Sequence, residues 1–166
     1  PSPNAQNTGA QDFYTPTPTF DMEAGFYPGS INVSMTCADA SAQIRYTIDG
    51  TDPDGGSALY SGPITVSYTQ VVRAVAFGSN QPSFNQTKSY FINVSHSLPV
   101  ISVCSEEVYD LVADGNQGGW GGGNSNKIGA LELFEEDGLF IDGGEGHFNK
   151  HGNDSWSYAQ RGFDFI

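Results

Sequence analysis

Positive charge is scarce in this chain. Six Lys and Arg stand against 19 Asp and Glu among 166 residues, a formal net charge of −13. Such a field repels phosphate backbones, so nucleic acid is excluded as a partner and cations are the natural counterparts. Cysteine is nearly absent too. Cys37 and Cys104 lack the close spacing of a zinc or thiol-redox motif, which leaves two buried free thiols or one disulfide between the halves. No apolar run is long enough for a membrane helix, so no membrane insertion is expected. A secretory leader is missing as well, and the chain opens Pro1-Ser2-Pro3 rather than on Met, as expected of a processed protein or an excised fragment. Three catalytic signatures are also lacking. There is no Gly-x-Ser-x-Gly elbow, Gly118–Gly123 is followed by no Lys-Ser/Thr that would make it a phosphate loop, and neither Cys has a base beside it in sequence.

What is present favours strands. Charged residues make up only 15% and aromatics 13%, while Gly, Ser, Thr, Asn and Tyr abound. That mixture suits an all-β extracellular or cell-surface domain. Residues 1–18 carry Pro1, Pro3, Pro16 and Pro18 and read as an extended linker. Residues 19–95 alternate short strands with turn signals. Phe20 and Met22 begin a strand, Gly25–Gly29 reads as a turn, and Ile31, Val33 and Met35 alternate with polar residues. Ile44, Tyr46 and Ile48 share one strand face, after which Asp49-Gly50, Asp52-Pro53 and Asp54-Gly55-Gly56 form a dense run of turn chemistry. Val71–Phe77 is the longest apolar strand, and Thr87–Val94 alternates again. The expected fold is an antiparallel, immunoglobulin-like β-sandwich.

Residues 96–166 predict a smaller β-rich segment. Leu98–Val103 and Lys127–Phe134 read as strands, and Ser105–Asp110 as a single helical turn capped by Ser105. Glu135-Glu136-Asp137-Gly138 is a hairpin turn with Leu139-Phe140-Ile141 pairing back, and Gly162–Ile166 closes as a strand.

The order Phe20…Gly25-Phe26-Tyr27, Ile44-x-Tyr46-Thr47-x-Asp49-Gly50-Thr51-Asp52-Pro53, Leu59-Tyr60-Ser61-Gly62-Pro63-Ile64 and Val72-x-Ala74-x-Ala76 resembles the immunoglobulin-like domain at the C-terminus of chitobiases and bacterial β-hexosaminidases. The resemblance implies a sandwich in a secreted bacterial protein. It does not imply hydrolysis, because glycosidase chemistry resides in a separate domain of those enzymes. Pro99–Ser102, Leu131–Gly138 and His151-Gly152-Asn153-Asp154-Ser155-Trp156…Gln160-Arg161-Gly162 resemble the start of a spore-coat-H-type (CotH) kinase-like domain, with His151 where that family has Arg and Gln160-Arg161 at its basic pair. This second resemblance implies the opening part of an enzyme whose catalytic part lies outside the chain.

Four constellations could carry chemistry. Asp49, Asp52 and Asp54 supply hard oxygen ligands on a tight loop and would suit Ca²⁺, the one cofactor considered, although Asx-capped turns need no metal. Trp120, set among glycines, could stack on sugar rings with Tyr27 and Tyr60 joining it; otherwise Trp120 anchors its loop and the tyrosines are core. His147 and His151 are four apart, but in a strand that spacing is about 13 Å, too far to share an ion. Glu132 and Glu135 imitate a glycosidase pair, with nothing nearby to supply a cleft. The expected role is a non-catalytic accessory or spacer module whose partners are neighbouring domains of its own polypeptide and a polysaccharide.

Overall fold

The computed structural model describes residues 13–104, 127–150 and 163–166. The chain divides into two compact units, Pro1–Val94 and Ser95–Ile166. Every element named among the described residues is a strand.

In the first unit, β1 (Thr19–Phe20), β2 (Gly25–Tyr27), β3 (Ile31–Val33), β4 (Met35–Thr36), β5 (Gln43–Thr47), β6 (Ala58–Leu59), β7 (Ile64–Val66), β8 (Gln70–Phe77) and β9 (Gln86–Ile92) build two layers. One layer is a five-stranded sheet in the order β2-β9-β8-β5-β6; the other is made of the pairs β1-β4 and β3-β7. Side chains alternate along each strand, so Ile44, Val72, Ala74, Ala76, Tyr90 and Ile92 face one way and meet Phe20, Val33, Met35 and Val66. All are buried. The β-sandwich is therefore as expected.

Three details differ from expectation. Gly25–Tyr27 is not a turn: it forms β2, parallel to β9, placing Phe26 opposite Phe91 and Tyr27 opposite Ile92. The Phe26 and Phe91 rings stack with centroids 4.4 Å apart, a cross-strand contact that outweighs the turn propensity of the flanking glycines. The run Ile31–Thr36 is split at Ser34, whose N–H donates to the Asp21 carboxylate (2.7 Å) and whose carbonyl accepts from Asp21 N–H (3.0 Å). The Thr-Pro-Thr-Pro stretch is not a free linker. Thr15 is only 2% exposed and Pro18 is fully buried. Thr15 N–H donates to Gln81 O (2.8 Å), Gln81 N–H donates to Phe13 O (3.0 Å), and the Cys37 thiol donates to Pro16 O (3.2 Å). Residues 13–18 are thus a strap fastened along the domain. Gly78 lies under it: a Cβ there would come within 2.7 Å of Asp39 Oδ2 and 2.9 Å of Thr15 Oγ1.

The second unit is an antiparallel meander of β10 (Val100–Cys104), β11 (Lys127–Phe134), β12 (Phe140–Lys150) and β13 (Phe163–Phe165). Its hairpin falls where Glu135-Glu136-Asp137-Gly138 predicts, with Gly138 N–H donating to Glu135 O (2.9 Å) and Gly138 at φ 87°, a left-handed conformation suited to glycine. Phe148 is buried between Val103 and Leu131 and lies against the Phe165 ring. The region expected to form a helical turn, Ser105–Asp110, lies outside the described residues. Cys37 and Cys104 are both free thiols.

Candidate binding surface

The acidic loop between β5 and β6 commits two of its three carboxylates to its own N–H and hydroxyl groups. Asp49 Oδ1 accepts from the Thr51 hydroxyl (2.6 Å) and Thr51 N–H (3.1 Å). Asp54 Oδ1 accepts from Gly56 N–H (2.8 Å) and the Ser57 hydroxyl (3.0 Å), and Ser57 Oγ in turn accepts from Asp54 N–H (2.9 Å). These are Asx turns, formed because a short carboxylate reaches the N–H two residues on. The Thr51 hydroxyl, then its N–H, hold the Asp49 carboxyl below its ordinary pKa; the Ser57 hydroxyl, then Gly56 N–H, do so for Asp54.

Asp52 has a different partner. It forms an ion pair with Arg73 and also accepts from Asn85 Nδ2 at 3.2 Å. Arg73 is 0% exposed, on the face of β8 opposite the hydrophobic core. Its guanidinium also donates to Gly50 O (3.3 Å) and Thr87 Oγ1 (3.2 Å). One buried cation thus fastens the loop onto the sheet and covers that face. The three aspartates do not converge: among the described residues no three His, Cys, Asp or Glu side chains gather around a common metal position.

The two tyrosines are drawn inward. Tyr27 packs against the core and its hydroxyl donates to Glu23 O (2.7 Å); burial, and secondarily the Glu23 charge, raise its pKa. The Tyr60 hydroxyl crosses to the opposite layer and accepts from Met35 N–H at 3.0 Å, while its ring meets Tyr46 edge-on. Tyr27 lies on β2 and Tyr60 follows β6, the two edges of the five-stranded sheet, roughly 19 Å apart at the usual strand spacing. They share no platform. Trp120 and His151 lie outside the described residues. His147 is exposed on β12, Glu132 is buried on β11, and Glu135 stands exposed at the hairpin.

Among the exposed aromatic residues, a group that sequence did not single out lies together at the strap. Tyr14, in the strap, is 41% exposed and Phe84, in the β8–β9 connection, is 64% exposed. Their ring centroids are 4.8 Å apart. Phe13 beside them is 69% exposed. Their backbones are tied: Tyr14 bridges Gln81, and Ser83, one residue before Phe84, donates its N–H to Ala76 O (2.9 Å) and accepts Ala76 N–H on its hydroxyl (2.8 Å). The available signal was an exposed Phe in a polar loop, but its neighbour comes from 70 positions earlier, as 84 − 14 shows.

Residues 22–89 match the family model of the chitobiase/beta-hexosaminidase C-terminal domain. The matched stretch lies within the sandwich and is similar to that family; it does not reach the second unit, and the likeness to a spore-coat-H-type domain has no support from the comparisons. No curated protein and no solved structure matches the chain.

Proposed function

We propose that this chain is a non-catalytic, carbohydrate-associated accessory module of a larger secreted protein, in which the sandwich engages polysaccharide and the meander spaces it from its neighbour. The observation that carries this reading is the family match over residues 22–89, which covers β2 through most of β9. The chemistry of the loops agrees with it. Asp49 and Asp54 are tied into turns and Asp52 is paired with Arg73. None of the three is arranged as a general acid facing a base. Incubation of the whole chain with insoluble chitin, cellulose and xylan, followed by sedimentation, tests the reading. Retention on at least one is expected; recovery of all the protein in every supernatant would sink it.

A further inference from the structure

We propose that the Tyr14–Phe84 ring pair is a stacking platform for a neutral polysaccharide chain. The proposal rests on the carbohydrate-associated reading above and assigns it a place. Sugar rings carry apolar C–H faces that lie against exposed aromatic rings, and such contacts need rings that are both solvent-facing and held still. Both conditions are met. Tyr14 and Phe84 lean against one another, 4.8 Å between centroids with their planes tilted by 32°, and both remain exposed to solvent. The hydrogen bonds from Thr15 to Gln81 and from Gln81 to Phe13 clamp the strap on either side of Tyr14. The Ser83 hydroxyl, bonded to Ala76 N–H and Phe84 O, fixes the other backbone. Little backbone freedom remains to be lost on binding.

The charge pattern selects the ligand class. The chain carries −13 overall, yet segments 13–18 and 77–86, which present these rings, contain no Asp, Glu, Lys or Arg. They hold instead Asn80, Gln81 and Gln86, amides that both donate to and accept from hydroxyl groups, while the Asn85 amide is already bonded to Asp52. An aromatic and amide patch with no cation in its segments, bordered by the Asp39 and Asp52 carboxylates, fits a neutral glycan; an anionic one would meet their repulsion and that of the acidic remainder.

Native gels of the full chain containing hydroxyethylcellulose, glycol chitin or arabinoxylan test this, with carboxymethylcellulose as the anionic arm. Retardation by at least one neutral polymer is expected. Tyr14→Ala and Phe84→Ala should each weaken it roughly tenfold, and Phe84→Tyr should restore it. Tyr68→Ala, which removes an exposed ring in the connection before β8, at the far end of that strand, should leave it unchanged. Melting curves confirm that the variants fold. Undiminished retardation of both alanine variants would overturn the platform while leaving the accessory-module reading intact. Absence of retardation in every gel would remove both. Carboxymethylcellulose binding as tight as that of the neutral polymers would overturn the ligand class.

Discussion

Two loops of the sandwich use their residues in opposite ways. The β5–β6 loop is rich in carboxylates, and they are bonded within the loop and to Arg73 and Asn85. The β8–β9 connection has no charge, and its backbone bonds go to the strap and to Ala76, leaving the Phe84 ring exposed. Residue type alone points to the first as a site. Accounting for hydrogen bonds points to the second, because a group already satisfied within the fold must break that bond before it can serve a ligand. A turn-rich acidic loop is thus an element of construction here, and a bland polar loop presents the aromatic surface.

The comparison can be broken most sharply at Arg73. Replacing it with Ala should lower unfolding stability by about 3 kcal/mol, since a fully buried side chain and its bonds to Gly50, Asp52 and Thr87 are lost together. Urea denaturation measures this, and a loss under about 1 kcal/mol would mean that the loop is held by other contacts. Next is Tyr60→Phe, which leaves Met35 N–H without its acceptor and should cost about 1 kcal/mol by the same measurement. Gly78→Ala crowds Asp39 and Thr15 at the base of the strap and is expected to cost about 1 kcal/mol. Hydrogen exchange at Thr15 and Gln81 should quicken at the same time; unchanged exchange would show a strap independent of Gly78.

The smallest effect is that of pH. Asp21, Asp39, Asp49 and Asp54 all have folded pKa values below their ordinary 3.8. A depressed carboxylate binds its proton more readily when unfolded, so its contribution is complete above the unfolded value and is lost as pH falls through the folded one. Melting temperature should therefore hold steady above about pH 5 and decline below about pH 4. Asp49→Asn and Asp54→Asn should shallow that decline slightly. An identical acid profile in the double variant would show that the Asx turns do not feel the carboxylate charge.

Much of the architecture was legible from local pattern. Alternation of Ile31, Val33 and Met35, and of Val72, Ala74 and Ala76, marks the core faces, and Asp137-Gly138 marks its hairpin. The misreadings share a cause. Gly25–Tyr27 became a strand because Tyr90 and Phe91 lie beside it, and residues 13–18 became a strap because the 78–81 loop receives them. Arg73 lies within the apolar run Val71–Phe77, and nothing local in the sequence assigns it a role. Its burial follows only once Asp52 is folded back over it.

The sequence by itself determined the all-β class, the turns in which Asp39, Asp49 and Asp54 bond the N–H two residues on, and the acidic charge balance. Those properties depend on composition or on neighbours a few residues apart. Only the tertiary structure decided that Asp52 pairs with Arg73, that Tyr60 bonds Met35 in the facing layer, and that Phe84 sits against Tyr14. Each of these joins residues distant in the chain. Their meeting is set by strand order and sheet packing, which no local pattern of side chains encodes.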